Sequence, residues 1–121
     1  IEAYPNFIQA HSNLGATLNK LNRSEEAIPH LKKAIQLDPE FGVAYFNLGN
    51  AYISQSNLVE AQKAYDLAIS KGINFLSMHW NLYDVYIRQG KRLKAKKELE
   101  FILQIEPENR EAKKKMEGFS R

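Results

Sequence analysis

The 121-residue chain has no cysteine, one tryptophan and no apolar run close to the ~18 residues that a membrane-spanning helix needs. The lack of cysteine excludes disulfide frameworks and thiolate metal sites, although it does not identify a compartment. No phosphate-binding loop, nucleophile elbow or pair of catalytic carboxylates is recognisable in the sequence. His11 and His79 lie far apart, and His30 has no cysteine or carboxylate at ligand spacing. The sequence therefore predicts that the chain is not an enzyme and needs no metal or cofactor.

What the sequence does contain is a repeat with a period of 34 residues. The dipeptide Leu14-Gly15 recurs as Leu48-Gly49. Further matching columns hold small residues (Ala27, Ala61 and Ala95) and prolines or an isoleucine (Pro5, Pro39, Ile73 and Pro107). A fixed period between about 20 and 50 residues indicates an array of similar structural units. The chain is therefore predicted to be a repeat protein.

Apolar residues within each period follow helical spacing and not the alternation of a strand. In the first period we expect one helix from about residue 8 to 20 and a second that ends at Asp38-Pro39. Asn22 tolerates a left-handed conformation in the turn between them, and Ser24 is a candidate N-cap for the second helix. Glycine at position 15 opposite Ala27 would let the two helices approach closely. Each period is thus predicted to be a helical hairpin.

The residues Tyr45-x2-Leu48-Gly49-x2-Tyr52, followed by Ala61-x3-Tyr65, resemble the tetratricopeptide repeat. The resemblance covers nearly the whole chain in three copies, at residues 8–41, 42–75 and 76–109. It implies one all-α domain over residues 1–121, with antiparallel helix pairs stacked into a right-handed α–α superhelix. Two residues depart from the pattern, because Ile73 replaces a closing proline and Tyr83 occupies the glycine column.

Both ends of the chain have predicted roles in the array. Residues 1–7 align with 69–75 and 103–109, so we expect them to be the tail of a preceding repeat, with a turn at Tyr4-Pro5-Asn6. The chain would then be a piece of a longer protein, and its N-terminal end would expose apolar surface that could pair two copies. At the other end, Ala112, Met116 and Phe119 share one helical stripe. Residues 108–119 are predicted to form a capping helix.

The resemblance implies that the first helix of each repeat lines a concave face where partners bind. An asparagine stands at the sixth column of all three repeats, and an amide can pair with both groups of a peptide backbone. This column is similar to the asparagine ladder in the repeat domain of O-linked N-acetylglucosamine transferases. The candidate peptide-binding residues are Asn13, Asn47, Asn81, Phe46, Asn50, Ile53, Trp80, Asp84, Ile87 and Arg88.

Each group of candidates has a structural alternative. The asparagines could bond a neighbouring helix and not a ligand. Phe46 and Trp80 could pack between adjacent repeats and not form an apolar surface on the concave face. Asp84 and Arg88 are spaced as a surface ion pair. The carboxylate clamp that grips chaperone tails in this family needs lysine or arginine, but its columns here hold Ser12, Ala16, Asn47, Ser77 and Asn81. No such clamp is predicted.

Basic residues are concentrated in the second half of the chain. Residues 61–121 hold thirteen Lys and Arg against eight Asp and Glu, whereas residues 1–60 hold four against six. A cluster over residues 91–97 could contact nucleic acid or an anionic membrane. It shows no aromatic interleaving in the sequence, so we interpret it as a solvated face.

The predicted function is a protein-interaction scaffold that binds an extended peptide or partner segment. No small-molecule substrate is expected. The alternatives are the substrate-recruiting arm of a larger enzyme, such as a glycosyltransferase, and binding of nucleic acid or a membrane surface through the basic half.

Overall fold

The structure, a computed structural model, describes residues 3–119 and the side chains of residues 7–119. Within that range the chain is helical and contains no strand, which confirms the all-α prediction. The helices are α1 (Ala3–Lys20), α2 (Ser24–Leu37), α3 (Gly42–Ser54), α4 (Leu58–Ser70), α5 (Leu76–Arg88), α6 (Arg92–Ile105) and α7 (Arg110–Gly118). None of these helices is long and apolar enough to span a membrane.

The chain divides into two compact units, Ile1–Ile73 and Asn74–Arg121. In the first unit, α1 pairs with α2 and α3 pairs with α4, and α3 also packs against α1 and α2. In the second unit, α5 pairs with α6, and α7 packs on α6. Each unit is therefore built from helical hairpins, as the repeat pattern predicts.

The turn inside each hairpin is built in the same way. Asn22, Ser56 and Gly90 stand 34 residues apart and all have left-handed backbone conformations, with φ of 60°, 58° and 72°. After the first of these residues, the N–H of Arg23 donates to the carbonyl of Leu18 at 2.8 Å. Equivalent bonds close the other two hairpins, from Asn57 to Tyr52 and from Lys91 to Tyr86. The left-handed residue lets the chain satisfy a carbonyl at the end of the first helix before the second begins.

Glycine is required where the paired helices of the first unit approach most closely. A Cβ atom added at Gly15 would lie 2.5 Å from the side chain of Leu31, and one added at Gly49 would lie 2.5 Å from the ring of Tyr65. Leu31 and Tyr65 are fully buried. The space beside each glycine is thus filled by a side chain from the facing helix, which leaves no room for a larger residue in the glycine column.

In the second unit, Tyr83 takes the place of that glycine and its ring joins a different cluster. Leu99, Ile102 and Ala112 are fully buried, and Tyr83 packs against them together with other half-buried side chains. Those side chains are Leu76, Trp80, Leu103, Met116 and Phe119. The apolar residues of α7 therefore belong to the core of this unit.

Polar contacts fix both ends of α7. The side chain of Asn109 accepts a hydrogen bond from the N–H of Ala112 at 2.9 Å and so caps the N-terminus of α7. Arg92 donates to the carbonyl of Gly118 at 3.1 Å and lies 4.6 Å from the centre of the Phe119 ring. The helix predicted over residues 108–119 runs from Arg110 to Gly118 and is attached at both ends.

One prediction at the N-terminal end of the first helix was wrong, and a second holds only in part. No turn forms at Tyr4-Pro5-Asn6, because α1 begins at Ala3 and proline costs no intrahelical bond in the first turn. The apolar surface expected at this end is only partly exposed, because Ile8 is buried with Ala34 and Ala44 whereas Phe7 is 54% exposed. The part of that prediction that concerns residues 1–2 and the side chains of residues 3–6 lies outside the described part of the chain.

Ser24 is not the N-cap of α2. The carbonyl of Arg23 already accepts from the N–H groups of Glu26 and Ala27, both at 3.1 Å, so the helix starts one residue earlier than predicted. Ser24 is therefore inside the helix and buried. The exposed end is held instead by the Arg23 guanidinium, which donates to both carboxylate oxygens of Glu26.

Candidate peptide-binding surface

The asparagine on α1 lies at the surface. Asn13 is exposed, and its side-chain oxygen accepts a hydrogen bond of 2.9 Å from Gln9, one helical turn earlier. This pairing orients the amide without burying it, so Asn13 is accessible to a ligand.

The asparagine on α3 is used within the fold. Asn47 is only 7% exposed, and its amide donates to the buried hydroxyl of Ser12 at 3.2 Å. The backbone carbonyl of Asn47 accepts a second bond, at 2.9 Å, from the side chain of Asn19. These bonds join α1 to α3. Asn47 therefore bonds a neighbouring helix, which was the alternative to ligand contact for the asparagine column.

The remaining candidates in the first unit are half-buried side chains of α3. The Tyr65 hydroxyl donates to the side-chain oxygen of Asn50. The ring of Phe46 lies 6.2 Å from that of Tyr65, and Ile53 is partly exposed one turn further along α3. The structure therefore brings an amide and an aromatic ring together on α3, anchored by a buried tyrosine.

In the second unit, Trp80 belongs to the core. It packs against the cluster around Leu99 and meets the ring of Tyr83 edge-on at 6.0 Å. Packing is thus the better interpretation of Trp80. Asn81, the third member of the asparagine column, is half-buried on α5.

The C-terminal end of α5 carries the other candidates of this unit. Asp84 and Arg88 form an ion pair at 3.1 Å with about half of each side chain exposed, and Ile87 is 43% exposed. Asp84 and Arg88 are four residues apart and thus form an ordinary surface ion pair across one turn of the helix.

Two histidine contacts were missed from the sequence. His11 Nδ1 lies 3.3 Å from His30 Nδ1, and His79 Nδ1 lies 2.7 Å from a carboxylate oxygen of Glu98. The other ring nitrogen of His79 is 2.9 Å from the side-chain oxygen of Asn74. Both pairs join residues 19 positions apart in the same repeat columns. The two pairs therefore occupy equivalent positions in the first and third repeats.

The environment of His11 disfavours its charged form. Burial, together with the charges of His30 and Lys33, lowers the pKa of His11. Its Nε2 atom is buried and has no hydrogen-bond partner among the described residues. Because a buried N–H without an acceptor is costly, the proton of neutral His11 belongs on Nδ1, where it can be donated to His30. No group of three or more histidine, aspartate or glutamate side chains in the described part of the chain could hold a metal ion.

The basic cluster at the start of α6 contacts aromatic rings, although no aromatic residue lies within the cluster in the sequence. Lys94 lies 5.8 Å from the ring centre of Tyr86, and Arg92 covers Phe119. On α7, Lys115 lies 5.5 Å from the ring centre of Tyr83. These rings are covered by cations of their own unit, so they do not form an open platform on which bases could stack.

Comparisons with known proteins agree with this architecture. A tetratricopeptide repeat family model matches residues 8–41, and a second matches residues 30–63. No curated protein sequence matches the chain.

Several solved structures have a similar fold. The chain is 23% identical to YrrB, a TPR protein with an unusual peptide-binding site, over 88% of this chain and 55% of YrrB, with a TM-score of 0.80. It is 23% identical to the first TPR of Spaghetti (RPAP3) bound to the HSP90 peptide SRMEEVD, over 95% of this chain and 94% of that one, with a TM-score of 0.81. It is 28% identical to MamA, over 95% of this chain and 67% of MamA, with a TM-score of 0.82. The chain thus spans about half of YrrB.

The family matches, the 34-residue register of the turns and the paired helices lead to one identification. The chain belongs to the tetratricopeptide repeat proteins.

Proposed function

We propose that the chain is a protein-interaction scaffold and that its first unit binds an extended peptide across α1 and α3. The observation that carries this proposal is the group formed by Asn50 and Phe46 on α3. Asn50 accepts a hydrogen bond from the hydroxyl of Tyr65, and Phe46 packs near the buried ring of Tyr65. An amide held in place beside an aromatic ring can bond a peptide backbone and pack against a side chain at little entropic cost. Asn13 offers a second accessible amide on α1.

The peptide is expected to bind through neutral contacts. In the columns where a carboxylate clamp would need cations, Ser12 is fully buried and Asn47 is bonded to it. Neither residue can offer a positive charge to an acidic tail. This argues against the kind of acidic peptide seen with RPAP3 and supports recognition of backbone groups and apolar side chains. The proposal assigns no catalytic role to the chain.

The groove proposal predicts how binding responds to loss of the amides. We expect Asn13→Ala together with Asn50→Ala to weaken binding about five- to a hundred-fold, because each lost amide pair contributes roughly 0.5 to 1.5 kcal/mol. Peptides selected on the wild-type chain from a random library would be titrated by calorimetry. A matched control, Gln36→Ala with Gln104→Ala, removes two exposed amides from α2 and α6 and should bind like the wild type.

A salt series separates this proposal from binding of nucleic acid or a membrane surface. Neutral contacts should weaken only modestly as salt rises, whereas a polyanion held by the basic cluster would show a steep logarithmic dependence. The second comparison is a variant with Lys94, Lys96 and Lys97 changed to glutamine. If binding is lost in that variant and kept in the variant with both asparagines changed, the peptide-groove proposal is wrong.

We also propose that α1 pairs two copies of the chain. Phe7 and Leu14 on α1, and Leu21 directly after it, are 54%, 42% and 58% exposed. Their seven-residue spacing places them along one side of the helix. Sedimentation at rising concentration should show a dimer that Leu14→Gln with Leu21→Gln converts to a monomer. A wild-type chain that stays monomeric at high concentration would contradict this proposal.

A further inference from the structure

The first and third hairpins place a histidine at the same position of their first helix, but the partners have opposite character. His11 on α1 faces another imidazole, that of His30 on α2, at 3.3 Å. His79 on α5 faces the carboxylate of Glu98 on α6 at 2.7 Å. In the second hairpin this pair of columns holds Tyr45 and Ala64 and so contains neither an imidazole nor a carboxylate. Acidification of the solution is therefore expected to affect the first and third hairpins differently.

We propose that the His11–His30 contact is an acid-sensitive latch that loosens the α1–α2 hairpin below neutral pH, whereas the His79–Glu98 contact keeps the α5–α6 hairpin closed over the same range. This behaviour requires no bound partner, so it goes beyond the scaffold function proposed above.

Both the hydrogen bonding and the charges around His11 disfavour its imidazolium. A second proton would go on Nε2, which is buried without an acceptor among the described residues. The charged groups facing His11 from α2 are His30, when protonated, and Lys33, and both repel a positive charge. Glu26 interacts with His30 but is held by Arg23. The other helix packed against α1 is α3, which carries no charged residue.

The contacts of His79 differ from those of His11 in both hydrogen bonding and charge. One ring nitrogen faces the carboxylate of Glu98 and the other faces the side-chain oxygen of Asn74 at 2.9 Å. The charged group facing His79 from α6 is Glu98, and the ring of Phe101 lies 4.1 Å from the imidazole. Both ring nitrogens of His79 therefore face oxygen atoms, and one of these oxygens belongs to a carboxylate.

The direction of the pH effect follows from proton linkage. Because the pKa of His11 is lowered in the folded chain, the unfolded chain binds more protons once the pH falls below about 6.5. The contribution of neutral His11 to stability is then fully present above that pH and is lost as the pH falls toward the folded pKa. One proton of difference lowers the folding equilibrium constant by up to about tenfold for each pH unit.

Exchange of the partners between hairpins tests this inference directly. His30→Glu gives the first hairpin the pair found in the third, and Glu98→His gives the third hairpin the pair found in the first. Hydrogen exchange of the backbone amides would be followed separately in α1–α2 and α5–α6, from about pH 7.5 to about pH 5.5, and corrected for the intrinsic exchange rate. Aspartate and glutamate change little in charge over this range.

In the wild type we expect protection of α1–α2 to fall several-fold on acidification while protection of α5–α6 is kept. His30→Glu should abolish or reverse the fall in α1–α2, and Glu98→His should introduce one in α5–α6. His30→Ala keeps the test valid even if the glutamate variant does not fold, because alanine occupies this column in the second hairpin as Ala64. If protection of α1–α2 falls equally in the wild type and in His30→Ala, the latch is ruled out.

Discussion

Replacing Met116 and Phe119 together with glutamine is expected to lower the free energy of unfolding of the second unit by about 2 to 4 kcal/mol. Full burial of each such side chain contributes roughly 1.5 to 3 kcal/mol, and both are partly buried against the cluster around Leu99. The chain has a single tryptophan, Trp80, in the same cluster, so its fluorescence during urea unfolding reports this docking.

The matched control for this prediction is Lys114→Gln, which changes an exposed residue of the same helix. We expect the control to unfold like the wild type and the double variant to show a red-shifted Trp80 emission before unfolding. Equal midpoints for the double variant and the wild type would mean that α7 does not stabilise the unit.

A second large effect is expected from Gly49→Val. The new Cβ would lie 2.5 Å from the ring of Tyr65, which is fully buried and bonded to Asn50. The ring cannot move away without breaking that bond or leaving the core, so the variant should lose about 3 kcal/mol of stability, at the upper end of the usual cost of overpacking. Thermal unfolding followed by circular dichroism would measure the loss.

Two comparisons identify the cause of that loss. A Cβ at Gly118 meets nothing within 4 Å, so Gly118→Ala should be neutral or slightly stabilising. In a Tyr65→Ala background the extra methyl groups of Gly49→Val have room, so their cost should shrink markedly. Strictly additive costs would show that contact with the ring is not responsible.

Most of the fold could be predicted because the period fixes which residues perform the same role. Three residues in one column adopt the left-handed turn, although one is asparagine, one serine and one glycine. The errors were local. Ser24 has the chemistry of an N-cap, but the sequence does not show that the carbonyl of Arg23 has already started the helix. Pro5 stands in a column that ends helices elsewhere, yet here it lies in a first turn, where proline is tolerated.

The candidate site was less predictable, because one column does not guarantee one environment. Asn13 is exposed on α1, whereas Asn47 has Ser12 of the neighbouring helix within hydrogen-bonding distance and is buried by that contact. Burial of a polar side chain depends on what the adjacent helix offers, and a single repeat does not contain that information. The histidine pairs depend on two columns of the repeat at once, so neither His30 nor Glu98 can be recognised as a partner from one column alone.

The absence of charge on α3 has a consequence for how the protein is made. More than half of its residues are buried, and α4 covers it on one side. During synthesis α3 leaves the ribosome before α4, so a nascent chain that has reached only Ser54 presents an uncharged helix with an uncovered flank. The α1–α2 hairpin can form before that point, but α3 stays uncovered on that side until Ser70 has emerged. Shortened forms of this protein should therefore end after a complete hairpin, since a chain that ends after α3 would expose a surface prone to aggregation.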